Sequence, residues 1–216
     1  MPNKTDYQKK MERILAELPA GAPQKPSLLL HACCGPCSSA VIELLASHFA
    51  ITVYYYNPNI YPPAEYERRK QELLLFLHQF PPAAESGIRV VEAAYEPEDF
   101  FRATNAREEP ALQQENEKGE RCRRCYLFRM AQSYSYACEH HFDYFTTTLS
   151  ISPHKDSDKI NTIGESLAHH GSTQFLFADF KKKNGFLRSL QLSAEYGLYR
   201  QDYCGCVYSK QNRGVQ

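Results

Sequence analysis

Seven of the chain's eight cysteines are concentrated in three short motifs, and this clustering constrains the fold more than any other feature. The motifs are Cys33-Cys34-Gly35-Pro36-Cys37, Cys122-Arg123-Arg124-Cys125 and Cys204-Gly205-Cys206. No motif alone has the four thiolates that a closed zinc site or an iron–sulfur cluster needs, so folding has to bring the motifs together. The surplus over four thiols indicates more metal chemistry than one closed structural site. We therefore interpret the sequence as that of a redox metalloenzyme.

The 216-residue chain is long enough for one domain with a substantial core, and its formal net charge is zero. The chain therefore has no overall positive charge of the kind that would indicate binding to nucleic acid. The first 18 residues lack the apolar segment of a secretory signal, and the apolar runs Ser27–Leu30 and Ile51–Tyr56 are too short to cross a bilayer. We expect a cytoplasmic protein without membrane association, where clustered cysteines more often bind metal than form disulfides.

Short apolar strands alternate with amphipathic helices along the chain. The predicted strands are Leu28–Ala32, Ile51–Tyr56, Arg89–Ala93, Asp143–Leu149 and Gln174–Ala178. The predicted helices are Tyr7–Leu18, Ser38–Phe49, Glu65–Phe80, Glu96–Thr104, Pro110–Glu117, Arg121–His140, Asp156–His169 and Phe186–Tyr196, the last closed by a left-handed Gly197. This alternation predicts an α/β fold: a mostly parallel, twisted, Rossmann-like sheet with helices on both faces. Residues 1–26 are predicted to form an N-terminal extension, and residues 27–216 a single catalytic α/β domain.

The first cysteine motif falls between the first strand and its helix. It therefore lies at the carboxyl edge of the sheet, where open α/β sheets bind ligands. The loops Asn57–Pro63 and Ser150–Asp158 follow the second and fourth strands and should face the same crevice. His154 and Lys155 are candidates for polar substrate contacts, whereas His31, inside the first strand, is expected to be a hydrogen-bonded core histidine.

Adjacent cysteines suggest that the thiols serve two metal centres. Neighbouring side chains on an extended segment point apart, so Cys33 and Cys34 are expected to reach different centres. Cys204 and Cys206 have the same option, because Gly205 permits a sharp bend. A 4Fe-4S cluster takes four thiolates, and the remaining three would hold a single iron with an open position.

Cys33 with Cys34, and Cys204 with Cys206, form two doublets. The predicted division of ligands gives each metal centre one cysteine from each doublet. The predicted cluster ligands are Cys34, Cys122, Cys125 and Cys204. The predicted ligands of the single iron, and hence the candidate catalytic residues, are Cys33, Cys37 and Cys206. The sequence leaves open which member of each doublet serves which centre.

The alternative interpretation is a zinc-stabilised RNA-binding module without redox activity, with two structural zinc sites or one zinc and spare thiols. Radical adenosylmethionine chemistry is disfavoured, because Cys33-x-x-x-Cys37 lacks the third cysteine of that motif. Cys138 lies inside a predicted helix and is expected to be a buried small apolar residue.

A basic stretch surrounds the second cysteine motif. Against one acid, Glu120, it contains Lys118, Arg121, Arg123, Arg124 and Arg129. Spacing alone favours a solvated helix face, but the position beside a predicted metal site raises the case for contact with a phosphate-bearing substrate. Arg68 and Arg69 are a second candidate phosphate-binding pair.

Six motifs in combination resemble the QueH-type epoxyqueuosine reductase family. They extend from about Leu28 to Ser209 in the family's order. The motifs are Leu30-His31-Ala32-Cys33-Cys34-Gly35-Pro36-Cys37, Tyr56-Asn57-Pro58-Asn59-Ile60, Glu65-Tyr66-x-Arg68-Arg69, Arg121-Cys122-x-x-Cys125, Thr147-Thr148-Leu149-x-x-Ser152-Pro153-x-Lys155 and Tyr199-Arg200-Gln201-x-Tyr203-Cys204-Gly205-Cys206.

This resemblance implies an oxidoreductase that reduces epoxyqueuosine at the wobble position of tRNA to queuosine, removing the epoxide oxygen as water and leaving an alkene. It implies a 4Fe-4S cluster beside a mononuclear iron, without cobalamin. The open iron would polarise the epoxide oxygen, and the cluster would deliver electrons singly from an external donor such as ferredoxin or flavodoxin. The third cysteine of the first motif can be aspartate in relatives, which implies that Cys37 binds the single iron. Lys118, Arg121, Arg123 and Arg124 would then be candidate contacts to tRNA phosphates.

Overall fold

A five-stranded sheet with the strand order β3-β2-β1-β4-β5 forms the centre of the molecule. The computed structural model describes residues 5–18, 24–169 and 171–213. The strands are β1 (Ser27–His31), β2 (Ala50–Tyr55), β3 (Arg89–Glu92), β4 (Tyr144–Thr147) and β5 (Gln174–Phe175). All four neighbouring pairs in these ranges are parallel, which confirms the predicted α/β class and extends the parallel pairing to the whole sheet.

The helices follow the predicted alternation closely. In the described ranges they are α1 (Tyr7–Glu17), α2 (Gly35–Leu45), α3 (Pro63–Gln79), α4 (Pro81–Glu85), α5 (Pro97–Thr104), α6 (Pro110–Gln114), α7 (Glu120–Glu139), α8 (Ser157–Ala168), α9 (Gly185–Glu195) and α10 (Val207–Arg213). A 3-10 turn, Thr148–Ile151, follows β4. Gly197 follows α9 with φ of +61°, as predicted for its left-handed cap. Among these helices none combines the length and apolar character needed to span a bilayer.

Both faces of the sheet are buried. Leu28 and Leu30 of β1 belong to one apolar core, which also receives side chains of α2, α3 and α9. Leu29, pointing the opposite way, belongs to a second core with side chains of α7 and α8. Burial on both sides explains why β1 and β2, at the centre of the sheet, are nearly continuous apolar runs without polar alternation.

Helix α1 packs against the rest of the fold. Met11 is buried in the first core, and Lys10 forms an ion pair with Glu165 at 3.1 Å. Asp6, the N-cap of α1, pairs with Lys182 at 3.0 Å. Residues 19–23 of the predicted N-terminal extension lie outside the described residues, so the domain division at residue 26 stays a prediction.

The strand order reverses between β1 and β4, and ligands of such sheets bind in the crevice at the carboxyl ends of these strands. Cys33 follows β1 and Thr148 follows β4, and the Cys33 Sγ and Thr148 Oγ1 atoms are 3.9 Å apart. Asn57, after β2, donates a hydrogen bond from its Nδ2 to the Ala32 carbonyl at 2.9 Å. The predicted position of the first cysteine motif, at the carboxyl edge, is confirmed.

Candidate metal centre

The thiols of Cys33, Cys34 and Cys37 form a compact group, here called the triad, at the start of α2. Their sulfur atoms all lie within 4.8 Å of one another, and those of Cys33 and Cys34 are 3.9 Å apart. With metal–sulfur bonds of about 2.3 Å, two sulfurs on one ion are at most about 4.6 Å apart. Small side-chain rotations therefore suffice to place all three on one metal ion. Adjacent Cys33 and Cys34 converge here, in contrast to the expectation from extended backbone.

The start of α2 explains this convergence. Cys34 is the N-cap of the helix, with extended backbone at φ −173° and ψ 164°. Its sulfur accepts hydrogen bonds from the Cys37 backbone N–H at 3.4 Å and from Gln201 Nε2 at 3.0 Å. Pro36 occupies the first turn, where its missing N–H is tolerated. The positive end of the helix therefore faces the triad, an arrangement that favours thiolates.

Electrostatics distinguish the three thiols. Hydrogen bonds from Cys34 and Cys37, together with the charges of Arg129 and Lys155, hold the pKa of Cys33 well below its ordinary value. Burial raises the pKa of Cys34 to about 12. Hydrogen bonds to Cys33 and Cys34 raise the pKa of Cys37 well above its ordinary value. The triad therefore holds one stabilised thiolate, the form that binds metal.

The other four motif cysteines line a second cavity and are here called the quartet: Cys122, Cys125, Cys204 and Cys206. Burial raises the pKa of the thiols on α7. A hydrogen bond from Cys206 and the charge of Lys155 hold the pKa of Cys204 well below its ordinary value. Four thiols are the donor set of a zinc ion or a 4Fe-4S cluster. The cavity, about 20 Å³ as the side chains lie, takes a single ion, and a larger group requires the thiols to turn outward.

Gly205 lets the chain bend so that both of its neighbours, Cys204 and Cys206, line the quartet's cavity. Its φ is +114°, a conformation that residues with a Cβ rarely adopt. A Cβ on residue 205 would lie 2.8 Å from Ile60 Cγ1, so the close approach of the loop after β2 is a second reason for glycine at position 205. The Gly205 carbonyl accepts a hydrogen bond from the Tyr61 N–H at 2.9 Å. The two loops therefore fix each other's position.

Arg69 anchors the third motif from α3. It is 1% exposed, so it does not form the surface phosphate contact considered from the sequence. Its guanidinium pairs with Glu65 at 2.7 Å and donates to the carbonyls of Cys204 and Tyr203, both at 3.3 Å. The motif Glu65-x-x-x-Arg69 is thus a structural support for the quartet.

We predict that Arg69→Ala lowers the free energy of unfolding by about 3–5 kcal/mol, because the Glu65 carboxylate, 12% exposed, loses its cationic partner and the carbonyls of Cys204 and Tyr203 lose their donor. Urea unfolding of the anaerobically purified protein measures this loss. Arg68→Ala is the matched control: Arg68 is exposed and its guanidinium lies 3.3 Å from the Tyr199 ring centroid, an exposed contact contributing about 1 kcal/mol or less. Equal losses in both variants would contradict the anchoring role.

Lys155 lies between the triad and the quartet. It lines the quartet's cavity and also a larger one of about 170 Å³, here called the substrate cavity, whose walls include Cys33, Cys37 and Cys204. Burial alone lowers the pKa of Lys155, but the negative charges of the Cys204 and Cys33 thiolates raise the pKa to a net value well above its ordinary one. The side chain therefore stays cationic. His154 lines the same cavity, and substrate contact by either residue stays a prediction.

The basic stretch divides into buried and paired arginines. Arg121 and Arg129 are 1% and 2% exposed and line the quartet's cavity, so a surface phosphate contact is wrong for Arg121. Arg124 pairs with Glu109 at 2.7 Å and with Glu120 at 3.1 Å. Arg123 pairs with Glu120 at 2.7 Å. Spacing offered one signal for burial: Arg121, Cys125 and Arg129 recur every four residues and share one face of α7.

The structure confirms His31 as a core residue. It is fully buried, its Nε2 donates to the Tyr56 carbonyl at 3.1 Å, and its Nδ1 accepts from Thr147 Oγ1 at 2.8 Å. Burial, together with the charge of Arg129, lowers the pKa of His31 to about 3. Cys138 lies on α7 and was predicted to be a buried small apolar residue, but its side chain is only half-buried. It lies well outside the triad and quartet sets.

Comparison with known proteins gives one consistent family. A family model described as Epoxyqueuosine reductase QueH matches residues 28–212. A relative with that name from Streptococcus pyogenes serotype M1 is 39% identical over 215 residues, which are 99% of this chain and 82% of the relative. Its namesake from Haemophilus influenzae is 39% identical over 196 residues, 89% of this chain and 74% of the relative. The relative of the same name from Thermotoga maritima is 31% identical over 186 residues, which are 85% of this chain and 90% of the relative.

Proposed function

Because the chain belongs to the epoxyqueuosine reductase QueH family, an oxidoreductase family, we propose that it reduces epoxyqueuosine in tRNA to queuosine. In this reaction two electrons and two protons convert the epoxide to an alkene, and the oxygen leaves as water. The observation that carries the proposal is that the motif cysteines form two groups linked by Lys155, which lines both the quartet's cavity and the substrate cavity beside the triad. The proposed site of action is the cytoplasm, with a ferredoxin or flavodoxin as electron donor.

We propose that the thiols hold a 4Fe-4S cluster and a mononuclear iron, without cobalamin. Three cluster ligands, Cys122, Cys125 and Cys204, are common to the division predicted from the sequence and to the quartet. The sequence-based division makes Cys34 the fourth ligand, whereas the shared cavity favours Cys206 and leaves Cys34 with the triad. When bound, these centres would supply single electrons and a Lewis acid for the epoxide oxygen.

In this proposal the substrate cavity binds the modified base, excludes water and provides a hydrogen-bond donor to the epoxide oxygen. Ile151 and Phe186 give it apolar walls, and Arg200 and Asp202 line it with polar groups. The apolar walls exclude water from the carbocycle that bears the epoxide. Lys155, with its cationic ammonium, donates a hydrogen bond to the epoxide oxygen and stabilises the negative charge that develops there as the carbon–oxygen bonds break.

The proposal is tested with tRNA that carries epoxyqueuosine, incubated anaerobically with the protein and a one-electron chemical reductant. Mass spectrometry of the released nucleosides should show queuosine, lighter by one oxygen atom. Reductant without protein is the control. The zinc-stabilised RNA-binding alternative predicts bound tRNA with its epoxide unchanged, and that result would contradict the proposed function.

Cys37→Asp should retain a measurable part of the reductase activity, whereas Cys37→Ala should lose it. Aspartate keeps an anionic ligand at the proposed single iron, while alanine provides none. Steady-state turnover and iron content, measured in parallel for both variants, check this difference. An inactive aspartate variant beside an active alanine variant would exclude Cys37 as a ligand.

A further inference from the structure

The geometry points to a further role for two arginines of α7. We propose that Arg121 and Arg129 compensate the negative charge of the thiolate-bound group in the quartet's cavity and so raise its affinity for an electron. This inference rests on the proposed function only in requiring that the quartet holds an iron–sulfur cluster. It assigns to the two arginines a positioning role, distinct from the substrate contact proposed for Lys155.

Both arginines line the cavity that the four thiols share. Arg121, Cys125 and Arg129 lie on one face of α7, and the two arginines line the cavity together with the quartet. Both side chains are almost completely removed from water. In this surrounding of low polarity a charge acts on its neighbours much more strongly than on the surface.

Neither arginine has an acidic partner. In the parts of the chain that the structure describes, the salt bridges include none with Arg121 or Arg129, whereas the equally buried Arg69 pairs with Glu65 at 2.7 Å. Arg121 Nη1 donates to the carbonyls of Leu112 and Gln113. An isolated buried cation is strongly unfavourable, and negative charge on a thiolate-bound group in the cavity that both side chains line would compensate both arginines.

Unused hydrogen-bond donors support the same conclusion. Arg129 Nη2 donates to Asn57 Oδ1. Arg121 Nε and Nη2 and Arg129 Nε are buried and have no hydrogen-bond partner among the residues that the structure describes. Buried donors of this kind are rare, and thiolate or inorganic sulfur is a suitable acceptor for them.

The electrostatic consequence has a definite sign. Accepting one electron adds one negative charge to the thiolate-ligated group. Two buried positive charges at its border stabilise the reduced state more than the oxidised state, and hydrogen bonds to sulfur act in the same direction. Loss of either positive charge should therefore make the group harder to reduce.

The test is a redox titration, followed by electron paramagnetic resonance, of the anaerobically purified protein and its Arg121→Gln and Arg129→Gln variants. Each variant should show an electron affinity at least tenfold lower, a midpoint about 59 mV more negative for a one-electron couple. Arg121→Lys and Arg129→Lys, which keep the charge, should restore most of the difference. Arg102→Gln removes an arginine whose side chain is 76% exposed and should leave the midpoint unchanged.

Iron and sulfide contents of the same samples complete the test. Loss of the cluster in the glutamine variants, with retention in the lysine variants, also supports charge compensation. Unchanged midpoints in both glutamine variants overturn the inference, and so does equal loss of cluster from glutamine and lysine variants, because only side-chain shape would then matter. Wild-type protein without iron and sulfide contradicts the proposed cofactor and removes the inference with it, and epoxide reduction is then judged separately.

Discussion

Cys122→Ser and Cys125→Ser should each abolish the iron–sulfur absorbance of the anaerobically purified protein. Both thiols lie on the first turns of α7 and line one cavity with Cys204 and Cys206. A serine hydroxyl stays protonated near neutral pH and is a harder ligand than thiolate, so it does not replace a cluster ligand. Absorbance spectra with parallel iron and sulfide analysis measure the loss.

Cys138→Ser is the matched control, because it makes the same substitution on the same helix at a half-buried thiol outside both groups. It should leave the metal content unchanged. Full iron and sulfide in either Cys122→Ser or Cys125→Ser would contradict the cluster assignment. The same assay identifies the fourth ligand: loss of sulfide in Cys206→Ser but not Cys34→Ser supports the quartet, and the reverse supports the division predicted from the sequence.

Lys155→Met should lower kcat about 10²–10³-fold with little change in metal content. The ammonium lines the substrate cavity and stays cationic because thiols surround it. Removal of one preorganised donor from a developing negative charge typically produces losses of this size. Methionine keeps a similar length and apolar stem, so the cavity wall is largely preserved. Single-turnover reduction of epoxyqueuosine-containing tRNA measures the effect.

Lys155→Arg should recover part of the rate, because it keeps a cationic donor at this position. Lys159→Met, on the adjacent α8, is the control: Lys159 pairs with Asp156 at 4.0 Å and does not line the substrate cavity. Its turnover should equal that of the wild type. A Lys155→Met protein with unchanged kcat would exclude Lys155 from contact with the reacting oxygen.

The sequence predicted the long elements because each had a regular apolar pattern and clear end signals. Helix α8 begins directly after Asp156, whose carboxylate accepts hydrogen bonds from the Asp158 and Lys159 N–H groups. The two helices that were not predicted, Pro81–Glu85 and Val207–Arg213, are too short for periodicity to be visible. Helix α2 begins three residues earlier than predicted, because a cysteine sulfur caps it and cysteine is not a typical N-cap residue.

The gathering of the three cysteine motifs could be predicted from the sequence, whereas the division of the thiols into a triad and a quartet could not. Three cysteine motifs were expected in one crevice, and the strand-to-helix position of the first motif located that crevice at the carboxyl edge of the sheet. The close approach of Cys33 and Cys34 depends on the backbone at the N-cap of α2, which spacing alone does not determine. Burial of Arg121 and Arg129 depends on which face of α7 meets the cavity, and this is decided by packing with distant segments.

The central claim, that the thiols hold redox-active iron, is tested most directly by metal and sulfide analysis of protein purified without oxygen. The account predicts brown protein with about five irons and four acid-labile sulfides per chain, one 4Fe-4S cluster and one single iron. Reconstituted and as-purified samples should agree in this ratio. Colourless protein that contains zinc and no sulfide would contradict the account and favour a zinc-stabilised RNA-binding module.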